Sequence, residues 1–104
     1  MKIQIDDMAS FGLALRAARR ASQLRLDDLA AFAGVSKQFV SDAEHGKPTL
    51  QMGLVFKLLE QIGAHLQLDL PEAAVQEMQR LQAAGGVKPY QRRAPAAAAD
   101  DAQG

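Results

Sequence analysis

The chain contains no cysteine among its 104 residues. That excludes a disulfide scaffold and any thiolate metal site. Its two histidines, His45 and His65, stand far apart with no His/Asp/Glu cluster around either, so no metal and no cofactor is expected. Apolar runs are short, and none reaches the length a membrane span requires. The segment Met1-Lys2-Ile3-Gln4-Ile5-Asp6-Asp7 lacks a signal-peptide hydrophobic region. A cytoplasmic protein of a prokaryotic kind, without a membrane partner, is the expectation. There is no nucleophile–base pair and no phosphate-binding glycine loop, which argues against an enzyme. Excess charge is lacking too: 12 Lys and Arg balance 12 Asp and Glu. Nucleic-acid binders are often strongly basic, so neutrality counts against DNA binding, but phosphate contact needs only one basic face.

What is present is material for one modest core, since 48% of residues are apolar. A domain this small gains from dimerisation. Met1, Ile3 and Ile5 alternate with polar residues, which predicts a short strand or a frayed terminus. Ser10 is a candidate cap for a first helix reaching Ser22, with Phe11, Leu15 and Ala18 on one face. A second helix is expected over Leu26–Ala33. Asp27 and Asp28 lie in its first turn, where anions are favoured, and Gly34 follows its end. Ser36 is a good cap for a third helix, Lys37–Glu44, which turns Val40 and Ala43 inward. Thr49 opens a fourth over Leu50–Ile62, where Leu54, Leu58 and Ile62 recur at helical spacing. Residues 64–70 then alternate, with Leu66, Leu68 and Leu70 on one side, as a half-buried strand does. A lone strand leaves its backbone unsatisfied, so it must pair with the N-terminal segment, with its copy in a second chain, or with both. Pro71–Ala84 reads as helix. Residues 87–104, with scattered proline and an alanine run, read as disordered, and Arg92-Arg93 there read as a solvated pair. Phe11, Phe32, Phe39 and Phe56 are expected in the core or at an interface.

Two short helices joined by a tight glycine-containing turn have the geometry of a helix-turn-helix, whose second helix enters the major groove of double-stranded DNA. Here that helix leads with Lys37, Gln38 and Ser41. Lysine donates to guanine O6 and N7, glutamine pairs bidentately with adenine, and serine adapts. Ser36 at the helix start, with Lys47 just beyond its end, is placed for phosphate.

The stretch LRLDDLAAFAGVSKQFVSDAEHGK, Leu24 to Lys47, resembles the Cro/phage-repressor-like helix-turn-helix family. The likeness lies in Leu29-Ala30, Ala33-Gly34-Val35-Ser36, Val40-Ser41, Glu44 and Gly46-Lys47, and it extends from Leu15 to about Gly63. It implies a mainly α, lambda-repressor-like domain. It also implies that Arg19 of the first helix pairs with Glu44 and can approach phosphate. Within that family, a domain followed at once by an alternating strand is similar to HipB-type antitoxins. Those dimerise through that strand, repress their own operon and neutralise a HipA-type Ser/Thr kinase.

The resemblance thus implies an inverted-repeat operator, a homodimer using Leu66, Leu68 and Leu70 with Ile3 and Ile5, and a kinase partner. Its domain map is residues 1–70 for DNA binding and dimerisation, 71–86 for a short helix and 87–104 for a tail. The sequence departs from the family at Arg25, usually a Thr or Ser cap, and at Leu26, usually a phosphate ligand. Arg25 is a substitute phosphate contact. Ala43 stands where a larger residue is usual, and Asp42 brings a negative charge to the outer side of the third helix. Two alternatives stay open: a general phage-type or restriction-modification regulator, and the same fold used only for protein–protein contact.

Overall fold

The computed structural model describes residues 1–90. They contain five helices: α1 (Met8–Ala21), α2 (Leu26–Ala33), α3 (Lys37–Glu44), α4 (Met52–Gln61) and α5 (Glu72–Ala83). The chain divides into two compact units, the first being Met1–Gln67 with α1 to α4 and the second beginning at Leu68 with α5. The mainly α, helix-turn-helix architecture is the one expected. Tail residues 91–104, Arg92-Arg93 among them, lie outside the described residues.

Local chemistry sets the helix ends. At α2 the chain closes at Gly34, held at φ +72°. The Val35 N–H reaches back to the Ala30 carbonyl at 3.0 Å and the Gly34 N–H to Ala31 at 3.2 Å. This double closure needs a left-handed residue, which glycine supplies without a Cβ penalty. Two residues later α3 starts, where the Ser36 hydroxyl accepts the Phe39 N–H at 3.0 Å. The turn of the helix-turn-helix is therefore built from one glycine stop and one serine start.

Two starts differ from expectation. The cap of α1 is Asp7, not Ser10: the Asp7 carboxylate accepts the Ser10 N–H at 2.7 Å, which draws Met8 and Ala9 into the helix. In α4 the first turn begins at Met52 with no side-chain cap bond, instead of at Leu50 behind Thr49. Leu50 packs against the core from the preceding loop, which anchors the entry to α4 in place of a cap.

The core of the first unit is Leu15, Leu29, Ala30, Ala33, Val40, Ala43, Val55, Leu58 and Leu59. α4 contributes Val55, Leu58 and Leu59; of the expected stripe Leu58 is buried, while Leu54 and Ile62 at its ends are half-buried. Phe11 and Phe39 pack at the edge of the core, whereas Phe32 and Phe56 are 61% and 51% exposed. Ala43 is fully buried, and Gly12 of α1 lies directly over it. A Cβ on Gly12 would stand 2.6 Å from the carbonyl oxygens of both Ala43 and Glu44. A small residue on each helix lets the two backbones meet. The volume lost at Ala43 is recovered by this close approach.

The strand expected over 64–70, with its partner at Ile3 and Ile5, is not formed: among the described residues there is no strand. A ladder needs a second strand within hydrogen-bonding distance, and the described residues of one chain supply none.

Candidate nucleic-acid interface

α3 presents its first turn to solvent. Lys37 and Gln38 are exposed, Ser41 is half-buried one turn on, and Val40, Ala43 and Glu44 point into the protein. Ser36 is exposed at the helix start and Lys47 just past its end. Ser36, Lys37, Gln38, Ser41 and Lys47 thus share one helix and its two ends, whereas Arg25 stands at the start of α2 and Arg19 on α1.

That helix is braced from behind. Glu44 is 2% exposed at its side chain and Arg19 11%. Arg19 Nε donates to Glu44 Oε2 and Nη2 donates to Oε1 at 3.0 Å, a two-pronged ion pair joining α1 to the end of α3. Arg19 Nη1 also donates to the Leu24 carbonyl at 3.0 Å, fixing the loop before α2. Hydrogen bonding to Glu44 raises the Arg19 pKa above its usual value, against the opposing effect of burial. So enclosed, Arg19 is a brace with little surface left for the phosphate contact expected of it. Sequence reasoning missed Arg16, one turn earlier on α1. Its Nε lies 3.4 Å from Glu44 Oε1, and its Nη2 lies 3.3 Å from His45 Nε2. The i, i+3 spacing of Arg16 and Arg19 was the available signal.

Each basic residue expected at DNA carries an acidic partner. Lys37 Nζ is 3.4 Å from Asp27 Oδ2, Lys47 Nζ is 3.5 Å from Asp42 Oδ2, and Arg25 Nε is 3.8 Å from Asp28 Oδ2. Asp28 also accepts the Arg25 backbone N–H at 3.2 Å, which starts α2 without a serine or threonine cap. Leu26 packs against the core, so the position that departs from the family pattern is used for burial. The face is consequently neutral residue by residue, as the whole chain is.

The comparisons agree with this geometry. Residues 15–68 match the helix-turn-helix family. The chain belongs to the XRE-type helix-turn-helix family. Among its members, the HTH-type transcriptional regulator y4mF of Sinorhizobium fredii is 38% identical over 71 residues, which is 68% of this chain and 93% of that protein. A chain of the HipA–HipB–O2–O3 complex superposes with a TM-score of 0.62 at 17% identity, covering 66% of this chain and 97% of that one. The restriction-modification controller protein C.AhdI of Aeromonas hydrophila superposes with a TM-score of 0.52 at 26% identity, covering 56% and 88%. The protein is a helix-turn-helix transcriptional regulator. No helix among the described residues is long and apolar enough to cross a membrane.

Proposed function

We propose that this XRE-type regulator is a dimeric repressor that reads an inverted repeat with α3 and serves as the antitoxin of a HipA-like kinase. The observation that carries the DNA-reading part is the exposed first turn of α3, Lys37 and Gln38, set on a helix locked by the Arg19–Glu44 pair. Lys37, Gln38 and Ser41 contact base edges; Ser36, Lys47 and Arg25 hold phosphates. For each cation, binding exchanges an aspartate for a phosphate.

Dimerisation is supported by apolar surface around residues 64–70. Leu66, Leu68 and Leu70 are exposed, as are Ile3 and Ile5. A shallow hollow of about 410 Å³ lined by Phe56, Leu59, Ala64 and Leu66 adjoins the first of them. Pairing 64–70 with its copy satisfies the backbone of both strands and covers those leucines. The antitoxin assignment is supported by the fold shared with a chain of the HipA–HipB–O2–O3 complex. The likeness to C.AhdI favours a second reading, a restriction-modification controller that uses the same surface on DNA.

A shift assay on the protein's own promoter tests the repressor. A specific complex at low salt is expected, and its absence overturns the reading. Co-expression with the product of the adjacent reading frame separates the two assignments: a stable complex with a kinase-like product is expected of an antitoxin and not of a controller.

A further inference from the structure

Asp42 stands out on α3 as an acid on a surface assigned to an anionic partner. Its two oxygens are separately engaged. Oδ1 accepts from Gln38 Nε2 at 2.8 Å, one helical turn back, and Oδ2 faces Lys47 Nζ at 3.5 Å. The side chain is 27% exposed, so it lies low on the helix flank, below the residues it touches. A carboxylate this close to phosphate weakens binding, and one that binds both Gln38 and Lys47 has a compensating use.

We infer that Asp42 is a specificity-determining residue: by accepting one N–H of Gln38 it fixes which way that amide faces, and so makes Gln38 a reader of adenine. This inference rests on the DNA-reading role of α3. A side-chain amide has an acceptor end and a donor end of nearly the same shape. An ionised carboxylate only accepts, so the donor end of Gln38 must turn toward Asp42. What remains for a partner is Oε1 and the second N–H of Nε2, one acceptor beside one donor. Adenine offers the complement in the major groove, with N6–H₂ donating and N7 accepting, whereas guanine offers two acceptors, N7 and O6. Without Asp42 the amide turns freely. It can then offer N–H alone to guanine or to thymine O4, or its oxygen alone to cytosine N4. Toward phosphate the same carboxylate acts the other way: it occupies Lys47 at 3.5 Å and repels the backbone.

The two roles of Asp42 predict effects of opposite sign, which a purely structural residue does not produce. Full-length protein is used to select duplexes from a randomised library, in parallel with Asp42→Ala, Asp42→Asn and Gln38→Ala, and affinity for an unselected duplex is measured for each. The wild type is expected to recover a motif with an adenine that Gln38→Ala no longer recovers. In Asp42→Ala the preference for that adenine falls roughly 5-fold or more, while affinity for the unselected duplex rises. Asp42→Asn loses the charge but keeps a carbonyl acceptor, so it also binds the unselected duplex more tightly and retains more of the adenine preference than Asp42→Ala. An adenine preference unchanged in Asp42→Ala overturns the inference and leaves the DNA-reading role standing. A wild type that recovers no motif overturns that role, and this inference with it.

Discussion

Among the described residues Arg19 and Glu44 are the buried charges, and their energetics are lopsided. Moving both from water costs several kcal/mol per ion, and the pair offsets this only because both prongs and the Leu24 carbonyl are in place. Glu44→Ala strands a buried guanidinium and is expected to lower unfolding free energy by roughly 3–5 kcal/mol. Replacing both partners, Arg19→Met with Glu44→Leu, should cost less than Glu44→Ala alone. Urea denaturation of the three proteins checks this, and a double variant weaker than the single one counts against it. Since the Arg19 pKa is raised from an already high value, the guanidinium side of the pair stays charged below the usual arginine range, and its contribution is lost only as pH rises through the raised value. One acid-sensitive contribution comes from Asp7, whose carboxyl is held below its usual 3.8 by the Ser10 backbone N–H and then by the Ser10 side chain. Its contribution is present above 3.8 and is lost as pH falls below that toward the depressed folded value. The stability gap between wild type and Asp7→Ala should therefore shrink as pH drops below 3.8, as thermal melts across that range will show.

At the scale of elements, the seating of α3 decides whether a reading surface exists. Gly12 lets α1 lie on the carbonyls of Ala43 and Glu44. Gly46, at φ +76°, is held as tightly: a Cβ there would stand 2.9 Å from the Met8 carbonyl oxygen. Gly12→Ala is expected to cost roughly 1–3 kcal/mol by forcing those backbones apart. It should also weaken DNA binding, because it tilts the helix that carries Lys37 and Gln38. Ser36→Ala should cost about 1 kcal/mol through the lost cap. How much of this was legible depends on where the cause lies. α2 and α3 were readable to the residue because Gly34 and Ser36 are local punctuation. The starts of α1 and α4 were not: a cap three residues before Ser10 outcompeted it, and Leu50 was drawn to the core. Gly12 gave no sequence signal at all, since its role exists only once α3 lies across it. The partners of Lys37 and Lys47 were hidden likewise, whereas Arg16 was signalled by its i, i+3 spacing to Arg19. Asp27 and Asp28 were legible as first-turn acids, yet Asp27's position opposite Lys37 depends on the turn between α2 and α3.

For the whole molecule, net neutrality is now a local property: Lys37, Lys47 and Arg25 each face an aspartate. Such exposed pairs are worth at most about 1 kcal/mol each, so phosphate can displace them, but they lower the affinity of a single copy. Asp27→Asn should raise affinity for DNA at low salt, with the gain shrinking as salt rises. The proposed dimer would offset a weak single copy, since two linked copies on an inverted repeat combine their affinities. Leu68→Glu is expected to give a monomer by sedimentation equilibrium and to abolish specific binding; a variant that stays dimeric would remove residues 64–70 from the interface. The central claim remains that α3 reads DNA. It is tested most directly by titrating the promoter duplex at low salt with wild type and with Lys37→Ala/Gln38→Ala, monitored by fluorescence anisotropy, after circular dichroism has shown equal folding. The account predicts a specific complex for the wild type and an affinity loss of roughly 10-fold or more for the double variant; equal affinity of the two proteins would contradict it.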